Sequence, residues 1–344
     1  MKIVYLGSGE FGVECLDALS ISEHDLRFIV TQPPNPAGRG RKPHPTSVAR
    51  WADMHSIPFI EIDDVNASEI IEKIAGYEPD LIVVIAFGQK IGNVLNNLPP
   101  KGAINVHSSL LPKYRGAAPI NWAIINGETT TGISIITLSE KMDAGQILAQ
   151  SQTDIAADET AGQLHDRLAK IAAPLLLNTI GQIADGSAVY IEQDHVGATL
   201  CGCPGQAHGP APTAPKLLKS DGFLDFAEPA EILARKIRGF WPWPGASANY
   251  ISKKTGKSIR VTIGGAEVVG ATLCGCPGQA HGPAPTKSPL ILPGTFDENL
   301  NVICGSGLLE IKKIKPAGSA LMDFKDFVNG RQTQPGDLFV KIDK

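Results

Sequence analysis

The amino-acid sequence predicts an α/β fold in two parts, a doubly wound, mostly parallel sheet followed by a small β-barrel. Three observations predict it. Up to about residue 186, short apolar runs that read as buried strands alternate with segments apolar at helical spacing. From Lys216 onward, short strands separated by turn signals take over. The charge balance also changes sign: residues 1–215 hold 14 Lys and Arg against 23 Asp and Glu, and residues 216–344 hold 17 against 12. A basic second half points to a polyanionic partner.

Length and composition set further bounds. A chain of 344 residues with 43% hydrophobic content makes two folded domains, and global disorder is excluded. No apolar run approaches the 18 residues of a membrane span. The first residues, MKIVYLGSGEFG, read as a strand and a glycine turn, unlike a signal peptide. Of six cysteines, four fall in a duplicated segment, and Cys15 and Cys304 stand alone. This is no disulfide framework, and a reducing cytoplasm is the expected compartment.

Taken in order, residues 2–7 read as a parallel-sheet strand. Gly7-Ser8-Gly9-Glu10-Phe11-Gly12 then matches G-x-G-x-x-G formally, before a helix from Val13 to Leu19. A dinucleotide site also needs an acid at the end of the second strand. That strand, Leu26 to Val30, runs into Thr31-Gln32-Pro33-Pro34, so the glycines read as a tight turn rather than an NAD site. Pro33 to Pro45 reads as a loop barred from regular structure by its prolines. Arg39, Arg41 and Lys42 put three cations on it, suited to phosphate contact or to a solvated surface. Helices are expected at 46–55 and 67–75 and a short strand at 58–62. The run LIVVIAF (81–87) reads as a buried strand. Helices follow at 118–126 and 160–183, the second with Pro174 inside it.

The chemistry gathers between Gly102 and Leu148. Asn105 and His107 are one residue apart, and Asp143 follows the apolar run Ile133 to Leu138. In an open α/β sheet ligands bind at the carboxyl ends of strands. A neutral His takes a proton, a carboxylate orients it and stabilises its cation, and an Asn amide donates to an oxygen gaining negative charge. Read singly, Asn105 is equally a turn cap, and Asp143 equally begins a turn before Ala-Gly.

Val196 to Thr213 (VGATLCGCPGQAHGPAPT) recurs letter for letter as Val269 to Thr286. Two identical copies with nothing similar elsewhere read as duplicated inserts rather than a repeat architecture. Each offers Cys-x-Cys and a His (Cys201, Cys203, His208; Cys274, Cys276, His281), so one shared zinc site is the alternative to an inert, Gly- and Pro-rich insert. Past the first copy, Ala230 to Arg238 reads as a basic helix leading into the cluster Phe240-Trp241-Pro242-Trp243-Pro244. Strands are expected at 258–263, 267–269, 290–291, 302–304 and 308–314.

Together, Asn105-x-His107, Ser109-Leu110-Leu111-Pro112, Arg115-Gly116-Ala117-Ala118-Pro119-Ile120 and Met142-Asp143-Ala144-Gly145 resemble the folate-dependent formyltransferases in order and spacing. The resemblance covers nearly the whole chain apart from the two copies. It implies a Rossmann-like formyltransferase domain over 1–187, a linker over 188–215 carrying the first copy, and an OB-like, tRNA-binding domain over 216–344 with the second copy at 269–286. It implies 10-formyltetrahydrofolate as formyl donor and a charged initiator tRNA as acceptor, in a cytoplasmic monomer. Asn105, His107 and Asp143 would be catalytic, and Ser109, Leu110, Leu111 and Pro112 would bind folate. Arg39, matching the key arginine of the family's PAGRG loop, would contact tRNA with Arg41 and Lys42. No metal is required. The alternatives are a small amine acceptor such as glycinamide ribonucleotide or an amino sugar, an NAD-dependent oxidoreductase, and a non-catalytic RNA-binding protein.

Overall fold

In the computed structural model, residues 1–37, 42–193, 211–270 and 292–342 are described. β1 (Lys2–Gly7) is buried along almost its whole length and lies in the interior of the first sheet. It pairs in parallel with β2 (Asp25–Thr31) and β6 (Leu81–Ile85). The short ribbon β3 (Asn35–Ala37) and β4 (Lys42–His44) precedes β5 (Phe59–Glu61), which extends the parallel set beyond β2. On the other side, β6 pairs in parallel with β7 (Ala103–His107). β8 (Arg115–Gly116) is a two-residue strand outside this sheet. β9 (Thr130–Thr137) and β10 (Ile147–Asp154) then add antiparallel, giving the order β10-β9-β7-β6-β1-β2-β5.

The helices up to residue 185 are α1 (Val13–Ser20), α2 (Ser47–Met54), α3 (Ser68–Ala75), α4 (Asn93–Asn96), α5 (Pro119–Ile125) and α6 (Ala161–Asp185). Thr46 caps α2 by accepting the Ala49 N–H at 3.0 Å. Pro174 sits inside α6 without ending it.

Tyr5 explains the glycine turn after β1. Its ring is wholly buried beneath the turn. A Cβ on Gly12 would lie 1.9 Å from the Tyr5 hydroxyl, and one on Gly7 would lie 2.5 Å from the ring. The glycines make room for a tyrosine. Beside them, the Thr31 hydroxyl bonds to Ser8 and Thr46, and β2 ends without a carboxylate.

The prolines at 33–45 do not bar regular structure. Pro36 faces Pro43 across the β3–β4 ribbon. In an antiparallel ladder alternate pairs exchange no hydrogen bonds, and a proline pair at such a site loses none.

The chain divides into two compact units, one comprising Met1–Ile120, Thr129–Ile155 and Gln163–Pro215, and the other Asn121–Glu128, Ala156–Gly162 and Lys216–Lys344. Residues expected in a linker pack on the first unit. Ile191 bridges Ile147, and β11 (Thr213–Ala214), which includes the last residue of the first copy, pairs in parallel with β8.

The second unit holds α7 (Ala230–Gly239), β12 (Ala246–Ile251), β13 (Ser258–Val268), β14 (Val302–Ile303), β15 (Leu308–Pro316), β16 (Met322–Asp323), α8 (Phe324–Arg331) and β17 (Leu338–Val340). Its sheet runs β14-β15-β13-β12-β17. Bridges from Thr295 to Leu338 and from Phe296 to Val302 bring the two ends toward a nearly closed antiparallel barrel. Leu233, Ile237, Tyr250, Val261, Phe296 and Phe339 fill it. The expected break after Ile263 is a bulge: β13 is one strand whose register shifts around Gly265, because a glycine pair in a strand permits an extra residue rather than a stop. The expected strand at 290–291 and most of both copies lie outside the described residues. No helix among the described residues is long and apolar enough to cross a membrane.

Candidate functional site

Asn105 and His107 lie within β7, where alternate residues share a face. The sequence analysis expected no strand at 103–107; the structure forms one there, beside β6. Asn105 is half-buried, and its side-chain amide has no hydrogen-bond partner among the described residues. His107, 6% exposed, ends the strand. Its Nε2 lies 3.0 Å from the carbonyl oxygen of Tyr114. A carbonyl only accepts, so Nε2 carries the proton there and Nδ1 is left free. Nδ1 faces Asp143 Oδ2 at 3.7 Å.

The turn from 108 to 114 is built against β9 and β10. Ser134, opposite His107 in the ladder, donates its hydroxyl to Ser109 O at 2.7 Å and accepts the Leu111 N–H at 3.0 Å. Gln150 Nε2 donates to Ser134 Oγ at 2.8 Å and to Leu111 O at 3.0 Å. Ser109 is wholly buried, with its hydroxyl on Lys113 O. Leu111 packs with Ile136 and Ile147. Of the four residues expected at the folate site, Ser109 and Leu111 face inward, while Leu110 and Pro112 stay half-buried.

Tyr114 adopts a left-handed backbone (φ 62°), and its N–H donates to Pro212 O at 2.6 Å. Gly116 sits at φ 129°, and a Cβ there would lie 2.3 Å from Ala214 O. Its N–H donates to Asp143 Oδ2 at 2.9 Å. Asp143 also has positive φ, at 52°. The turn it begins is tight: a Cβ on Gly145 would lie 1.7 Å from Thr137 O. The segments at 105–107, 114–116, 143–145 and 212–214 therefore meet, through the His107 ring, the Asp143 carboxylate and backbone hydrogen bonds.

Sequence reasoning missed Tyr114, Ser134, Gln150 and Gln193 as parts of this site. Their contributions run through backbone carbonyls and turn geometry, which leave no residue-type signature. Lys42 falls in β4, whereas Arg39 and Arg41 lie outside the described residues, as does the possible zinc site of the two copies. Among the described residues, no group of three or more His, Cys, Asp or Glu gathers as a metal site would require. Two surface hollows, one flanked by Glu23 and Asp185 and the other by Tyr250 and Arg331, contain none of the site residues.

This geometry has known relatives. Residues 1–180 match the formyl transferase family, and residues 216–332 match the family described as formyl transferase, C-terminal domain. The chain belongs to the formyltransferase family. This formyltransferase is 37% identical over 343 residues to methionyl-tRNA formyltransferase of Citrifermentans bemidjiense, covering 100% of this chain and 98% of that one. It is 36% identical to the protein of the same name from Alkaliphilus oremlandii, covering 98% and 99%. Among solved structures, HypX from Aquifex aeolicus in complex with tetrahydrofolic acid matches at TM-score 0.58 and 16% identity, over 100% of this chain and 51% of that one. WlaRD, a sugar 3N-formyl transferase, matches at TM-score 0.58 and 16% identity, over 93% and 99%. These two likenesses establish the fold of the formyltransferase.

Proposed function

We propose that this chain transfers the formyl group of 10-formyltetrahydrofolate to the α-amino group of methionyl-tRNA, for translation initiation. The observation that carries the reading is full-length relatedness, at 37% identity in one case, to methionyl-tRNA formyltransferases. The site supplies a chemistry to match. The amine attacks the formyl carbon and the carbonyl oxygen becomes an oxyanion. As that collapses, the bond to the folate nitrogen breaks; one proton leaves the amine and one reaches the departing nitrogen.

Asn105, with its amide unpartnered, donates to the oxyanion. His107 works through Nδ1, since Nε2 is engaged by Tyr114 O. Protonated at Nδ1, the ring donates to the oxyanion, and Asp143 at 3.7 Å stabilises that cation and takes part in moving the proton. Removal of one such donor typically costs about 100- to 1,000-fold in rate. Leu110 and Pro112 offer the donor the accessible side of a turn whose shape Ser109 and Leu111 hold. Arg39, Arg41 and Lys42 meet tRNA phosphates, and the basic second unit adds to that binding. The protein acts as a cytoplasmic monomer.

The test is to incubate the protein with labelled 10-formyltetrahydrofolate and charged initiator tRNA, with glycinamide ribonucleotide and an amino sugar as rival acceptors. Formyl-methionine on tRNA is expected. Label passing to a small acceptor instead would overturn the reading.

A further inference from the structure

Gln193 is the last described residue before the first copy, and it is 3% exposed. Its side-chain amide is fully engaged. Nε2 donates to Asp143 O and to Gly145 O, both at 2.8 Å. Oε1 accepts from Arg115 Nε at 2.9 Å and from Arg115 Nη2 at 2.5 Å. The two carbonyls belong to the turn that holds Asp143 in the left-handed region, where a residue with a side chain needs support from its surroundings. The arginine immediately precedes Gly116, whose N–H holds Asp143 Oδ2. One buried amide therefore ties together the backbone that carries the Asp143 carboxylate and the strand that orients it.

We propose that Gln193 is a positioning residue for formyl transfer, acting through Asp143 to set its carboxylate against His107 Nδ1. The proposal rests on the reading of Asp143 and His107 given above. A glutamine fits this place because it offers two donors and an acceptor on one rigid plane. A glutamate would keep the bond to Arg115 but turn an oxygen toward two carbonyl oxygens.

The test measures Gln193→Ala and Gln193→Glu in the wild-type and Asp143→Asn backgrounds, with circular dichroism to confirm folding. Small displacements of catalytic groups cost up to about 100-fold, so kcat should fall by roughly 10- to 100-fold with KM for both substrates within about twofold. In the Asp143→Asn background, either change should lower kcat by less than about twofold, because residues acting as a unit are not additive. The His107 ring-proton titration, followed by NMR without substrate, should shift in both Gln193 variants. Unchanged kcat, a full additional loss in the Asp143→Asn background, or an unmoved His107 titration would each overturn the proposal. If the wild type does not formylate methionyl-tRNA, the substrate reading fails, and the His107 titration still decides the positioning role. If Gln193→Ala does not fold, Gln193→Glu, of the same length, carries the test.

Discussion

Tyr114 O holds the His107 ring by its Nε2 at 3.0 Å, so that Nδ1 points to Asp143 Oδ2 at 3.7 Å. The division of labour between two neighbours is set by chemistry. A carbonyl fixes which nitrogen bears the proton, and a carboxylate beyond hydrogen-bond length leaves the other nitrogen free to exchange one. The ring is thus held in one orientation with Nδ1 left available for the proton transfer proposed above.

His107→Ala and Asp143→Asn should each retain the fold and lose turnover by about 100-fold or more, the scale of a general acid–base contribution. Steady-state formylation and a melting curve check both halves. Near wild-type kcat in either variant would remove that residue from the mechanism.

Gly145 and Gly116 should be far less tolerant of substitution than Gly181. Gly145→Ala places a methyl against the Thr137 carbonyl, and Gly116→Ala against the Ala214 carbonyl at a φ that alanine avoids. Overpacking of this kind costs about 1–3 kcal/mol, and kcat should fall with it, since both residues shape the Asp143 contact. Gly181, inside α6, has nothing within 4 Å of the added methyl. Gly181→Ala should gain about 0.5–1 kcal/mol from helix propensity and leave activity unchanged. Chemical denaturation of the three variants separates these outcomes.

Stability should fall on the alkaline side. Burial, with the Glu14 carboxylate adding, pushes the Cys15 thiol up to about 12 from 9.0. Burial raises Cys304 to about 11 from 9.0. Burial and the Asp337 hydrogen bond raise Tyr250 to about 12 from 10.0, and burial lifts Tyr5 well above its ordinary value. In each case the unfolded chain loses its proton first. Stability is therefore full below about pH 9 and declines from there toward pH 12, at up to about 1.4 kcal/mol per pH unit for each group. Urea midpoints at pH 8, 9.5 and 10.5 should fall in that order. The same shifts predict that Cys15 and Cys304 resist alkylation at pH 8 until the protein is unfolded.

Much of the fold was legible in the chain, and the gaps have local causes. β1, β2 and β6 are buried on both faces, and such strands read as continuous apolar runs. β10 was invisible because ILAQSQTD is mostly polar, as an edge strand can be. The β3–β4 ribbon was hidden because a proline rule that holds for helices and central strands does not hold where two prolines face each other. At the site, Asn105, His107 and Asp143 stood out by residue type. Gln193 did not, because nothing in a sequence marks a glutamine that binds two carbonyls lying 48 and 50 positions earlier.

Arg39→Ala should weaken tRNA use while leaving KM for the folate donor within about twofold. If the arginine neutralises one phosphate, the dependence of log K on log salt should become shallower by roughly 0.7 to 0.9. Binding measured at several salt concentrations checks the slope, and an equal loss of folate affinity would place this residue at the donor site instead.

The 18-residue copies should prove dispensable, and the site geometry shows how to remove the first. Gln193 bonds the Arg115 side chain, and Thr213 pairs with the Arg115 backbone, so the chain leaves and re-enters at one residue. Excising Leu200 to Thr213 and joining Thr199 to Ala214 puts an identical threonine in the place of Thr213 and leaves residues 194–198 between the two anchors. Five residues span up to about 17 Å when extended, ample for two points held by one arginine. Shortening the connection also lowers the loop-closure cost, by about 0.6 kcal/mol for each halving of length. Formylation rate and melting temperature should therefore be unchanged or slightly raised. The rival outcome is a zinc clamp drawn from Cys201, Cys203, Cys274 and Cys276, which would tie metal binding to folding. Excision would then release about one zinc per chain, read by atomic absorption, with a sharp drop in melting temperature. That result would overturn the inert-insert reading, and an unchanged, metal-free protein would sustain it.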